Sequence, residues 1–178
     1  MGQVLRHLIY TESVDSERLY GVDIQAGFID LGYELFKDGE KFKGGILQGD
    51  ILADDEQVPE GGGGGGGGGG GRGLDRLRGK IDVVHAAYFF HLFERAGQVK
   101  AAKRVVGFLN PNNQNVVVFG CNGGPKVVGW ENYVLNKKAW QGVWDEVGEA
   151  TGTAWRTEMH VEETQHTIMV SFAVYRAG

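Results

Sequence analysis

The sequence has one cysteine, no run of basic residues and no long apolar stretch, and these absences exclude several classes of protein. Its one cysteine, Cys121, cannot form an intrachain disulfide or a Cys-rich zinc site, so we expect a cytoplasmic protein without a metal. The 18 Lys and Arg are outnumbered by 23 Asp and Glu, which argues against a nucleic-acid partner, because phosphate binding needs a concentrated basic surface. No apolar stretch approaches the roughly 20 residues that span a bilayer, and no signal-peptide pattern is seen, so we expect no membrane partner.

Glycine is abundant instead, with 31 residues, eleven of them consecutive at positions 61–71. Such a run has no side chains to bury and a large backbone entropy to lose, so we predict a flexible insert over about residues 54–73. A phosphate-binding loop is a poorer interpretation, because such loops alternate glycine with residues that shape a turn. A surface loop tolerates a long insertion at small entropic cost, so we predict one domain over residues 1–178.

Hydrophobic periodicity predicts alternating strands and helices. In the first helix Phe28, Leu31 and Leu35 recur at helical spacing, and the third strand is apolar enough to be buried on both faces. The last two strands are joined by a tight connection and should be antiparallel. The predicted strands cover residues 19–23, 45–51, 81–86, 115–120, 153–161 and 167–175, and the predicted helices cover 26–36, 94–109 and about 140–152. This order predicts an α/β doubly wound sheet, mostly parallel, with an antiparallel C-terminal end.

Three polar residues close successive predicted strands, where ligands bind in such sheets. Asp23 suits the two hydroxyls of a ribose, and it is equally suited to cap the following helix. Asp50 could accept from an adenine amine beside Ile51, although a turn is the simpler role for a single Asp. His85 closes the third strand, and His85 and His91 flank an aromatic cluster. Either histidine could serve as a general base or satisfy a polar position in the core.

Ordered blocks of the chain resemble the class I S-adenosylmethionine-dependent methyltransferases, particularly the fungal enzymes of polyketide and meroterpenoid pathways. The blocks are residues 19–36, 49–52, 81–93, 101–104 and 144–152. The resemblance implies a Rossmann-like fold, S-adenosylmethionine as cofactor, and methyl transfer to a small-molecule acceptor. It implies that Asp23 binds ribose, that Asp50 binds adenine, and that residues after the fourth strand of the family's sheet line the transfer site. The expected cofactor contacts are Gly2, Asp23, Ile24, Asp50, Ile51 and His85, and the expected catalytic residues are His85 and His91.

The sulfonium of that cofactor is already electrophilic, so the protein must mainly position the acceptor, with a base where the acceptor needs deprotonation. His85 or His91 could be that base. Trp130, Tyr133 and Trp140 could line an apolar acceptor pocket, although an aromatic residue at helical spacing is more often part of the core.

Residues 1–5 resemble only the end of the family's glycine-rich loop, so we expect the family's first strand to be missing. Its absence would leave strand edges unpaired and remove backbone contacts to the cofactor. Two other functions stay open on the sequence: a non-catalytic truncated remnant, and a nicotinamide-dinucleotide oxidoreductase, which also places an acid after its second strand. The antiparallel end of the sheet favours the methyltransferase.

Overall fold

The computed structural model describes residues 2–53, 72–125 and 136–178. The chain divides into two compact units, residues 1–76 and 77–178. The single-domain organisation expected from the sequence stays a prediction. Residues 54–71 of the predicted insert lie outside the described residues, whereas its last two residues begin a short helix, Arg72–Asp75.

The first unit contains a parallel pair of short strands that is flanked by helices. Strands β1 and β2 pair in parallel, with Gly21 opposite Ile46 and Asp23 opposite Gln48. The predicted alternation of strand and helix is confirmed here, and the helix after β1 has the predicted bounds. In chain order the elements are α1 (Gln3–Tyr10), a 3-10 helix (Ser16–Arg18), β1 (Gly21–Asp23), α2 (Ala26–Phe36), β2 (Ile46–Gln48) and α3 (Arg72–Asp75).

The buried face of α2 differs from the one that its apolar spacing suggests. Phe28, Leu31 and Leu35 are 57%, 57% and 70% exposed, whereas Ile29 and Gly32 are buried. Almost every position of this helix is apolar, so the periodicity identified the helix but could not select the face that packs. The core of the first unit is built around Ile29, Phe42 and Ile46, with Leu5, Ile9, Leu19 and Tyr33 packed against them.

The second unit contains a four-stranded sheet in the order β3-β4-β6-β5. Strand β4 pairs in parallel with β3, and β6 is antiparallel to both β4 and β5. The antiparallel pairing predicted for the last two strands is therefore confirmed. The elements are β3 (Val83–His85), a 3-10 helix (Phe90–Leu92), α4 (Arg95–Phe108), β4 (Val117–Pro125), α5 (Lys137–Thr151), β5 (Trp155–Glu163) and β6 (Thr167–Arg176).

The prediction that the third strand is buried on both faces is wrong for β3. Val83 is 56% exposed and His85 is also exposed, because β3 lies at an edge of the four-stranded sheet formed by the described residues. The interior position predicted for the next strand is correct. Strand β4 lies between β3 and β6, and the side chain of Val118 is fully buried.

Aromatic side chains fill the core of the second unit. Phe90, Trp140 and Trp144 are each at most 1% exposed, and the Phe90 ring meets the Trp140 ring edge-on at a centroid distance of 5.2 Å. Trp140 is thus a core residue, which is the simpler of its two interpretations. Trp130 and Tyr133 lie outside the described residues. Helix α5 ends at the left-handed cap Gly152, as its sequence predicts, but it begins after the side-chain cap of Asn136, a few residues before the predicted start at about 140.

None of the helices in the described ranges is both long and apolar enough to cross a membrane.

Candidate functional site

Asp23 ends β1, where its side chain is half-buried. Its Oδ1 accepts a hydrogen bond from the backbone N–H of Gln25 at 2.7 Å, and its backbone oxygen accepts from Gly49 at 2.9 Å. The residue preceding α2 is Gln25, so Asp23 forms a turn before the helix and is not its N-cap. Oδ2 has no hydrogen-bond partner among the described residues. One carboxylate oxygen therefore holds the turn while the other can accept from a ligand.

Asp50 follows the neighbouring strand at the same edge of the parallel pair. The register sets Asp23 opposite Gln48, so Asp50 comes two residues beyond that pair. Its Oδ1 accepts from the backbone N–H of Leu52 at 2.8 Å, which forms the turn that its sequence context suggested. Asp50 is exposed and Ile51 is half-buried. The structure thus brings the two predicted carboxylates to one edge, with apolar surface beside them.

Ile24 and Gly2 are the remaining residues of the first unit that the sequence analysis predicts to contact the cofactor. Ile24 follows Asp23 and is 55% exposed. Gly2 precedes α1 with a φ of 66°, and a Cβ there would lie 2.9 Å from Arg6 Nη1 and 3.1 Å from Ile46 Cδ1. Only glycine fits this left-handed, crowded position without strain. Gly2 therefore lies next to Ile46, the first residue of β2. Asp23 and Asp50 lie at the opposite, C-terminal ends of β1 and β2.

His85 ends β3 in the second unit and is exposed. Its ring stacks at a tilt on Phe119, with a centroid distance of 4.9 Å, and the two residues are register partners in the parallel pair. No hydrogen bond fixes this imidazole within the part of the chain that the structure describes.

His91 lies in the 3-10 helix Phe90–Leu92 and is half-buried. Its Nδ1 lies 3.1 Å from Oδ1 of Asn122, a residue of β4 that is 1% exposed. The ring of Tyr88 meets the His91 ring edge-on, with a centroid distance of 6.2 Å. Of the two predicted candidate bases, His91 is the one whose ring is held by a hydrogen bond to a buried side chain.

The sequence interpretation did not single out Asn122. It comes shortly after the apolar run of residues 116–119, as the first amide side chain near the end of the strand. Asp23, Asp50 and His85 were selected because each is a polar residue at the end of a predicted strand. The same criterion, applied to the predicted strand of residues 115–120, would have led to Asn122 as well.

The second unit also has an open cavity of about 770 Å³ beside the end of α5. Trp144, Glu149, Trp155 and Arg176 are among its lining residues, and none of the predicted site residues lines it. Its size alone is no reason to assign it a role, and the candidate residues selected from the sequence lie elsewhere.

Comparison with known proteins gives consistent matches. O-methyltransferase phiE from Fungal sp. (strain ATCC 74256) is 39% identical over 173 residues, which cover 93% of this chain and 51% of the relative. Methyltransferase adrK from Penicillium roqueforti is 29% identical over 158 residues, covering 85% of this chain and 51% of the relative. O-methyltransferase atr3 from Stereocaulon alpinum is 29% identical over 196 residues, covering 98% of this chain and 51% of the relative.

The chain is similar to fungal methyltransferases over most of its length. The resemblance inferred from the sequence is therefore confirmed, although no family model matches. The chain spans about half the length of the curated relatives that it matches. In structure it is similar to the methyltransferase domain of bacterial CtHen1-CN, with a TM-score of 0.55 and 16% sequence identity, over 96% of this chain and 84% of that one. This similarity confirms the predicted Rossmann-like α/β fold class for this chain.

Proposed function

We propose that this protein binds S-adenosylmethionine and takes part in methyl transfer to a small-molecule acceptor. The observation that carries the proposal is one edge of the parallel strand pair, where Asp23 ends β1 and Asp50 follows β2, in a chain similar to methyltransferases. The residues that we assign to the methyl donor at this edge belong to the first unit.

The residues of the first unit fit the adenosine part of this donor. Asp23 has one carboxylate oxygen engaged by Gln25, and its other oxygen lacks a partner within the described ranges. A carboxylate accepts well from the two neighbouring hydroxyls of a ribose. Asp50 can accept from the exocyclic amine of adenine, while Ile24 and Ile51 offer apolar surface to the purine ring. The exposed Asp50 contributes less than Asp23, because water competes for its oxygens.

When bound, S-adenosylmethionine supplies an electrophilic methyl group on a sulfonium. The protein's own part is to orient the acceptor and, where the acceptor needs it, to remove a proton. His91 is the better candidate base, because Asn122 fixes its ring. The exposed His85 is the second candidate and also an expected cofactor contact. Gly2 precedes α1 and allows the chain to enter that helix. We propose a contact with the cofactor as its second role.

Isothermal titration of the 178-residue chain tests this proposal, after circular dichroism has established that the chain is folded. We expect saturable binding of S-adenosylmethionine and none of NAD. Asp23→Asn keeps a side-chain oxygen for the turn with Gln25 but removes the charge, so affinity should fall by roughly 10- to 100-fold, as expected for a charged hydrogen bond.

The matched control is Asp30→Asn, which removes an equally charged but exposed carboxylate from α2. Its affinity should equal that of the unmodified chain. Binding of NAD alone would favour the oxidoreductase. A folded chain that binds neither compound would contradict the proposed function and leave the non-catalytic remnant.

A further inference from the structure

Asn122 is a fully buried amide whose hydrogen bonding is only half used. Its Oδ1 lies 3.1 Å from His91 Nδ1, and its Nδ2 is buried without a partner among the described residues. Burying an unpaired donor costs about 1–3 kcal/mol, whereas an apolar side chain in β4 would avoid that cost. The hydrogen bond to His91 is therefore the interaction that an amide, unlike an apolar side chain, provides at this position.

The backbone around His91 is fixed against β4, which carries Asn122. Hydrogen bonds continue beyond β3, from Ala86 N to the Phe119 oxygen at 2.8 Å and from Tyr88 N to the Cys121 oxygen at 2.6 Å. Tyr88 has a φ of 51°, a left-handed conformation that is costly for a residue with a side chain. The fully buried Phe90 then anchors the 3-10 helix in the core. Both partners of the His91–Asn122 contact are thus held by rigid structure.

We propose that Asn122 is a positioning residue that keeps the proton of neutral His91 on Nδ1. An amide oxygen can only accept, so the ring nitrogen that faces it must carry the hydrogen. Nε2 is then the basic nitrogen. This inference rests on the proposed function for its purpose, because a base with a fixed tautomer is ready to deprotonate an acceptor hydroxyl.

The proton transfer that follows is simple. The O–H bond of the acceptor breaks, its electron pair stays on the acceptor oxygen, and the proton moves to Nε2 of His91. The Nδ1–H remains bonded to Asn122 Oδ1, which stabilises the resulting imidazolium. Asn122 therefore acts through His91 and need not touch the acceptor.

The opposite orientation of the amide gives a distinguishable result. If the amide NH2 faced the ring, it would donate to Nδ1, and the proton would be on Nε2. The two arrangements thus predict opposite tautomers of the same imidazole, which nitrogen chemical shifts separate.

The test is two-bond ¹H–¹⁵N correlation NMR on the full chain labelled with ¹⁵N-histidine. It is recorded at pH about 8.5, where an ordinary imidazole is neutral, since its pKa is about 6.5. We expect the Nδ1–H pattern for His91. The exposed His166 provides an internal reference and should show the Nε2–H form that predominates in water. An Nε2–H pattern for His91 would overturn the proposal.

Two substitutions separate hydrogen bonding from packing. Asn122→Leu keeps the branched shape of the side chain but has no acceptor, and it should shift the major tautomer of His91 to Nε2–H. Asn122→Asp retains an acceptor and should keep Nδ1–H. Retention of Nδ1–H in Asn122→Leu would overturn the role of Asn122. Should Asn122→Leu fail to fold, the tautomers in the unmodified chain and in Asn122→Asp still decide the question.

Thr157→Val is the matched control. Thr157 is another buried polar residue of the sheet, and its hydroxyl donates to Gln141 Oε1 at 2.8 Å, so its loss should leave the His91 tautomer unchanged. This NMR readout requires neither cofactor nor acceptor. Failure of the proposed function would appear as absent S-adenosylmethionine binding with an intact Nδ1–H pattern, and failure of this inference as the wrong tautomer in a chain that still binds.

Discussion

The guanidinium of Arg6 forms a bidentate ion pair with the carboxylate of Asp38 inside the first unit. Arg6 Nε donates to Oδ2 at 2.6 Å and Nη2 donates to Oδ1 at 2.9 Å, and both residues are at most 3% exposed. The Phe36 ring lies 4.2 Å from the guanidinium carbon. The pair thereby joins α1 to the segment that follows α2.

Asp38→Ala should destabilise the first unit by about 3–5 kcal/mol, because it removes a buried carboxylate that accepts two hydrogen bonds from the buried Arg6 guanidinium. Urea unfolding followed by far-ultraviolet circular dichroism measures the change. Glu17→Ala is the control, since its ion pair with Lys43 is exposed and should contribute about 0–1 kcal/mol. Equal losses in the free energy of unfolding for the two substitutions would show that the buried ion pair contributes no more to stability than the exposed one.

Phe90→Ala should cost about 3–5 kcal/mol in the second unit, because Phe90 is fully buried against Trp140 and Phe172. All four tryptophans lie in residues 77–178, so fluorescence during urea unfolding reports this unit selectively. Leu92→Ala, in the same 3-10 helix but 65% exposed, should change stability by less than about 0.5 kcal/mol. A small effect of Phe90→Ala would contradict its place in the core.

Lys37→Gly should stabilise the first unit by about 0.5–1 kcal/mol. Lys37 ends α2 in the left-handed conformation, with a φ of 50°, where a side chain is disfavoured and glycine is not. Gly152→Ala is the converse at the end of α5, where φ is 66° and an added Cβ meets no atom within 4 Å. It should cost about 1 kcal/mol by conformation alone. Both shifts are measurable by thermal unfolding, and shifts of the opposite sign would refute the assigned backbone conformations.

Ile29→Ala should cost about 2–5 kcal/mol, whereas Leu35→Ala on the same helix should change stability by less than about 0.5 kcal/mol. The reason is that Ile29 is 8% exposed and Leu35 is 70% exposed, although both are apolar. Urea unfolding of the two variants compares the faces of α2 directly. A larger cost for Leu35→Ala would mean that the face suggested by the apolar spacing is the buried one.

The part of the site that depends only on one strand and the turn after it could be predicted from the sequence. Asp23 and Asp50 follow short apolar strands, so the rule for strand ends found both, and the parallel register places them at one edge. Asn122 was missed because its importance depends on His91, 31 residues earlier in the chain. The N-cap role considered for Asp23 was wrong because Gln25, two residues later, is the residue that directly precedes the helix, and Asp23 accepts from its backbone N–H.

The sequence by itself determined the order of strands β1 to β6 and of helices α2, α4 and α5, the bounds of α2, and the end of α5 at Gly152, because these depend on local periodicity and on the conformational freedom of glycine. Only the tertiary structure decided which face of α2 is buried, that β3 lies at a sheet edge of the second unit, and that Asn122 meets His91. Burial and hydrogen bonding between distant residues depend on which elements become neighbours, and no local pattern of residues specifies that.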